Sequence, residues 1–66
     1  MGIPREKVVV YETTDGWRYK AKAGNNRTVG MSEEAHGRKQ YQVKKAHKLY
    51  PELPIFIQTS EGLIPA

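Results

Sequence analysis

Arg18, Lys20 and Lys22 occupy every second position of the stretch DGWRYKAKAGNNRTVG, interleaved with Trp17, Tyr19, Ala21 and Ala23, and Arg27 follows after Gly-Asn-Asn. In an extended chain successive side chains point to opposite faces, so this spacing puts the three cations on one face and the aromatic and small residues on the other. A row of guanidinium and ammonium groups is suited to phosphate. It positions a polyanion by charge and hydrogen bonding, and a ribbon or sheet can carry it into a groove. The same row also fits the ordinary solvated face of a half-covered strand, and the spacing alone leaves both readings open.

Tyr41, Lys44, Lys45 and Lys48 form a second basic group, which falls on one side of a helical wheel. Either a partner-binding surface or a solvated helix face accounts for it. Eleven Lys and Arg against seven Asp and Glu give a net charge of +4, which makes DNA or RNA a plausible partner through counterion release and equally serves solubility. Trp17 offers indole area for stacking or for anchoring a partner, although packing beneath a helix explains it as well. His36 and His47 would lie three helical turns apart, roughly 16 Å at the helical rise, too far for one metal ion. No metal site or other cofactor is therefore expected. Catalysis finds no constellation either: the acids are scattered, cysteine is absent, AGNN lacks the lysine of a phosphate-cradling loop, and Ser32 reads as a helix cap. A binding protein rather than an enzyme is expected.

The elements that must position these residues follow from local chemistry. KVVVYET is rich in strand formers, and three consecutive valines require a strand that is central or covered on both faces. TTDG supplies a tight reversal into the Trp17 strand, and GNN a second one into RTVGMS, with residues that tolerate positive φ. These three strands make an antiparallel meander. Ser32, with Glu33 and Glu34 behind it, predicts a helix starting near residue 33, or after Gly37 at Arg38. Its apolar arc holds Ala35, Val43, Ala46, Leu49 and Tyr50, with Lys39 and Gln42 at the edge. Pro51 and Pro54 end it, and IFIQT follows as a fourth strand, continuously apolar. The fold class is therefore α+β, in the order β-β-β-α-β. Residues 1–6 are expected as a flexible start, 7–58 as one domain and 59–66 as a loose tail.

A 66-residue chain has room for a single core that buries roughly 60% of its unfolded surface, and without cysteine it has no disulfide staple. Oligomerisation is the remaining remedy. One helix covers only one face of a small sheet, so a partner subunit would supply the cover that the valine run and IFIQT demand. A homodimer is expected, and it would compete with nucleic acid for the face of Arg18, Lys20 and Lys22. The absence of cysteine and of any long apolar run points to a cytoplasmic protein with no membrane partner.

The second strand and its turn, WRYKAKAGNN, with MSEE ahead of the helix and VKKA within it, resemble the YegP-like family over residues 8–58. The resemblance implies a β3-α-β unit that occurs as a tandem repeat or as a dimer, the C-terminal strand crossing to complete the neighbour's sheet. For one copy it implies a homodimer with Ile55, Phe56 and Ile57 exchanged. DGWRYK also resembles a strand of the N-terminal arm-site-binding domain of tyrosine recombinases, which implies a sheet in the major groove with Arg18, Lys20, Lys22 and Arg27 facing DNA. The expectation is a small basic accessory or regulatory module that contacts nucleic acid through its sheet, with Lys44, Lys45 and Lys48 as a second basic surface. The alternative is a homodimeric protein-interaction module of phage-like type that captures a host or cellular protein.

Overall fold

The computed structural model describes residues 3–25 and 27–66. The expectations for Met1 and Gly2 as part of a flexible start, and for Asn26 as a turn residue, lie outside the described residues. Strands β1 (Lys7–Thr13), β2 (Gly16–Lys22) and β3 (Thr28–Met31) precede helix α1 (Lys39–Leu49), and β4 (Ile55–Thr59) and β5 (Gly62–Pro65) follow it. The protein is α+β, with one helix on a five-stranded mixed sheet in the order β3-β2-β1-β4-β5. The triple valine thus sits in the middle strand. β1 pairs antiparallel with β2 and parallel with β4, with Val8, Val9 and Val10 opposite Ile55, Phe56 and Ile57 of the same chain.

Alternation sorts the strands into two faces. Val8, Val10, Tyr19, Ala21 and Ile57 are buried with Ala46 of the helix, and Trp17, Val43, Tyr50, Leu53 and Ile55 pack around them. Each of the valine and isoleucine side chains contributes about 1.5–3 kcal/mol when fully removed from water. Val9 points to the face without a helix, yet it is only 3% exposed. Its register neighbours Lys20 and Phe56 share that face, and a lysine stem covers apolar surface while its ammonium stays in water. Cover for the middle valine comes from its own sheet.

The segment expected as a loose tail forms β5 instead. TSEG repeats the chemistry of TTDG. In both hairpins a threonine hydroxyl donates to the carbonyl of the glycine three residues on, Thr13 to Gly16 at 2.9 Å and Thr59 to Gly62 at 2.7 Å. In both, the same oxygen accepts the backbone N–H two residues on, from Asp15 and from Glu61. Each glycine has positive φ, +128° at Gly16 and +119° at Gly62, a conformation that disfavours any side chain. Beyond β5, the Ala66 N–H donates to the Ile55 carbonyl at 2.9 Å.

The helix starts at Lys39, with Arg38 at its N-cap in extended conformation, so the start after Gly37 is the one adopted and the start near residue 33 is not. Residues 32–36 are used elsewhere. β3 is shorter than β2 and leaves the polar backbone at the start of β2 in need of partners. Ser32 and His36 supply them: the Ser32 N–H donates to the Tyr19 carbonyl, and Trp17 and His36 exchange two backbone hydrogen bonds at 2.6 and 2.9 Å. Ser32 Oγ accepts from the Tyr19 N–H at 3.1 Å, so its hydroxyl completes the sheet and caps no helix. The buried stripe of α1 also lies nearer Gln42 than the expected arc. Gln42 and Ala46 are its buried members, whereas Leu49 is 54% exposed.

Candidate nucleic-acid interface

β2 is the element that sets the cations. Its register with β1 places Arg18 opposite Tyr11, Lys20 opposite Val9 and Lys22 opposite Lys7, all on the face away from α1. Trp17, Tyr19 and Ala21 between them enter the core or pack against it. The alternation therefore separates the two sets as their spacing predicts. Among the strand residues the only acid is Glu12, in register with Trp17 and so on the helix side. Asp15, in the hairpin turn, lies 4.0 Å from Arg18 at the end of the row. Lys22 Nζ donates to Thr28 Oγ1 at 2.9 Å, and Lys20 Nζ lies 5.0 Å from the centre of the Tyr11 ring. Arg27 is exposed in the β2–β3 loop, its N–H donating to Asn25 Oδ1 at 3.1 Å, outside the strand row. The structure thus groups three of the four cations.

Lys44, Lys45 and Lys48 lie exposed on the outer side of α1, with the whole sheet between them and the first set. With Tyr41 and Leu49 they line an open depression of about 500 Å³. Tyr41 stacks on His36 with ring centres 3.9 Å apart, and His36 Nδ1 accepts the Arg38 N–H at 3.0 Å. His36 thus belongs to the turn ahead of the helix. No group of three or more acidic or histidine side chains that could hold a metal occurs among the described residues, and no described helix is long and apolar enough to cross a membrane.

Ile55 and Ile57, expected in an exchanged strand, pack with the core of their own chain, and Phe56 between them faces the open side. Tyr11 and Phe56 are aromatic residues on the cationic face, Tyr11 not singled out by charge and spacing and Phe56 named only for strand exchange. Alternation around Val8, Val10 and Ile57 was the signal that could have found them. Trp17 packs at the core margin with Lys39 Nζ 5.8 Å over its ring, which accounts for it as a structural residue. Tyr19, in edge-to-face contact with Tyr50 at 6.5 Å, has its hydroxyl pKa raised, chiefly by burial and secondarily by Tyr50 and Glu33, against a lowering by Lys45.

Comparison with protein-family models, with curated proteins and with solved structures finds no match to this chain. The class to which fold and site belong is accordingly a physical one: an open-faced α+β sheet with a cationic row on its uncovered side.

Proposed function

We propose that the protein is a small non-enzymatic module that contacts nucleic acid through its open sheet face. One observation carries this reading: Arg18, Lys20 and Lys22 stand in one row on the face that no helix covers, with no strand acid beside them. Phosphates neutralise such a row and release counterions, which gives affinity without a deep pocket. Arg27, exposed in the β2–β3 loop, is a further cation outside the row. A mobility-shift assay with generic single-stranded and duplex DNA tests the reading. Binding is expected at about 50 mM salt, with a loss of roughly tenfold or more at about 0.2 M. Absence of binding at the lower salt overturns it.

A second reading, a homodimeric protein-interaction module, draws on a different observation. Edge strand β3 carries two exposed apolar side chains, Val29 and Met31, and exposed edges are templates for pairing with another chain. An exchanged form, in which Ile55, Phe56 and Ile57 pair with β1 of a neighbour, would hinge between Tyr50 and Pro54. Light scattering at micromolar concentration tests this second reading, because a mass of 7.5 kDa excludes the dimer.

A further inference from the structure

Resting on the nucleic-acid reading, we propose that the open face takes a single-stranded polynucleotide and that Tyr11 and Phe56 are the positions on which its bases stack. Both rings lie on the uncovered side, Tyr11 on the middle strand and Phe56 on the parallel strand beside it. Phe56 pairs with Val9, so Tyr11 stands two residues further along, and strand spacing and rise put the two positions about 8 Å apart. Both are partly exposed, and Val9, opposite Phe56 and two residues from Tyr11, is buried beside them.

Charge and shape select the occupant. A second copy of this face would bring Arg18, Lys20 and Lys22 against their own equivalents, and that repulsion disfavours a face-to-face dimer. A polyanion meets the row with complementary charge. Five strands span about 19 Å at the usual spacing, wider than the roughly 12 Å major groove of a duplex, so rings on β1 and β4 do not reach paired bases. A single strand has no such restriction: its bases splay from the backbone and present their faces to aromatic side chains. Its phosphates then run along β2 while its bases cross to β1 and β4. Lys20, which in the free protein lies over the Tyr11 ring, exchanges that contact for a phosphate when a base takes the ring.

Fluorescence anisotropy with labelled probes of about 12 nucleotides, within the site size of such a face, tests this at about 50 mM salt. The probes are oligothymidylate, oligouridylate, a duplex, and a strand of the same charge whose sugars carry no bases. Oligothymidylate or oligouridylate is expected to bind at least tenfold more tightly than the base-free strand, and the ratio of the first two tells DNA from RNA. Tyr11→Leu and Phe56→Leu should each weaken the based strand by about tenfold and leave the base-free strand unchanged. Equal binding of based and base-free strands, or a preference for the duplex, overturns the stacking proposal and leaves the phosphate reading standing. No binding by any probe overturns both. The comparison of probes needs no variant, so it decides the matter even where a substitution perturbs the fold.

Discussion

Gln42 shows how a polar side chain earns a buried position in so small a core. It is 1% exposed, and its Nε2 donates to the carbonyls of Trp17 at 2.7 Å and Glu34 at 3.0 Å, while Oε1 is buried with no partner among the described residues. The amide thereby ties α1 to the start of β2 and to the loop before the helix, and two donated hydrogen bonds offset one idle acceptor. Gln42→Ala is expected to cost about 2–3 kcal/mol in urea unfolding, from the unmade hydrogen bonds and the vacated volume. Gln42→Glu should cost more, because a carboxylate there would face two carbonyl oxygens that it cannot bond without taking up a proton. Tyr19 carries the pH dependence of the same core. Its pKa is raised in the folded chain, chiefly by burial, so the neutral form is favoured over the phenolate. The folded state holds that proton longer than the unfolded one, and this contribution is complete below the ordinary tyrosine pKa of about 10 and is lost as pH rises through the folded value. Thermal melts should show a decline in stability above about pH 10 that is smaller in Tyr19→Phe than in the parent protein.

The hairpins explain both what the sequence reveals of these elements and what it conceals. Gly16 and Gly62 close matching threonine-anchored turns, but their surroundings differ: a Cβ at Gly16 would meet the His36 carbonyl oxygen at 2.7 Å, whereas one at Gly62 would meet open space. Gly37 has no positive φ, and a Cβ there would meet nothing within 4 Å. Denaturation midpoints should therefore rank the alanine variants. Gly16→Ala is expected to lose about 2–3 kcal/mol, Gly62→Ala about 1–2 kcal/mol from backbone strain alone, and Gly37→Ala to be neutral or slightly stabilised. The first hairpin was legible because TTDG lies between two runs of strand formers. TSEG carries the same signature, yet with only four residues after it and a proline among them it reads as a tail until β4 offers an edge. Alternation in GWRYKAK was enough to assign every side chain of β2 to a face. The helix start was not legible in the same way. Ser32, Glu33 and Glu34 have the chemistry of an N-terminus, but what decides their structure is the unpaired backbone of Trp17 and Tyr19, a long-range demand that local propensity does not carry.

At the scale of the molecule, α1 divides the cations into two sets that one rigid ligand cannot span together. Arg18, Lys20 and Lys22 lie on the open side of the sheet, and Lys44, Lys45 and Lys48 on the far side of the helix that covers its other face. The net charge of +4 belongs to neither set alone, so electrostatic attraction at long range would act on both, and only contact distinguishes them. Two triple variants make the distinction, because each replaces three cations by alanine and removes the same charge. If the open face is the binding surface, Arg18→Ala/Lys20→Ala/Lys22→Ala should lower the slope of log affinity against log salt by about 2–3, roughly one for each lost phosphate contact. The matched variant Lys44→Ala/Lys45→Ala/Lys48→Ala should leave that slope nearly unchanged and weaken binding by no more than about threefold, the residue of diminished long-range attraction. Circular dichroism of both should match the parent, since none of the six side chains is buried. Equal losses in the two variants would mean that net charge alone drives association, and a larger loss from the helix set would move the interface to the depression beside Tyr41.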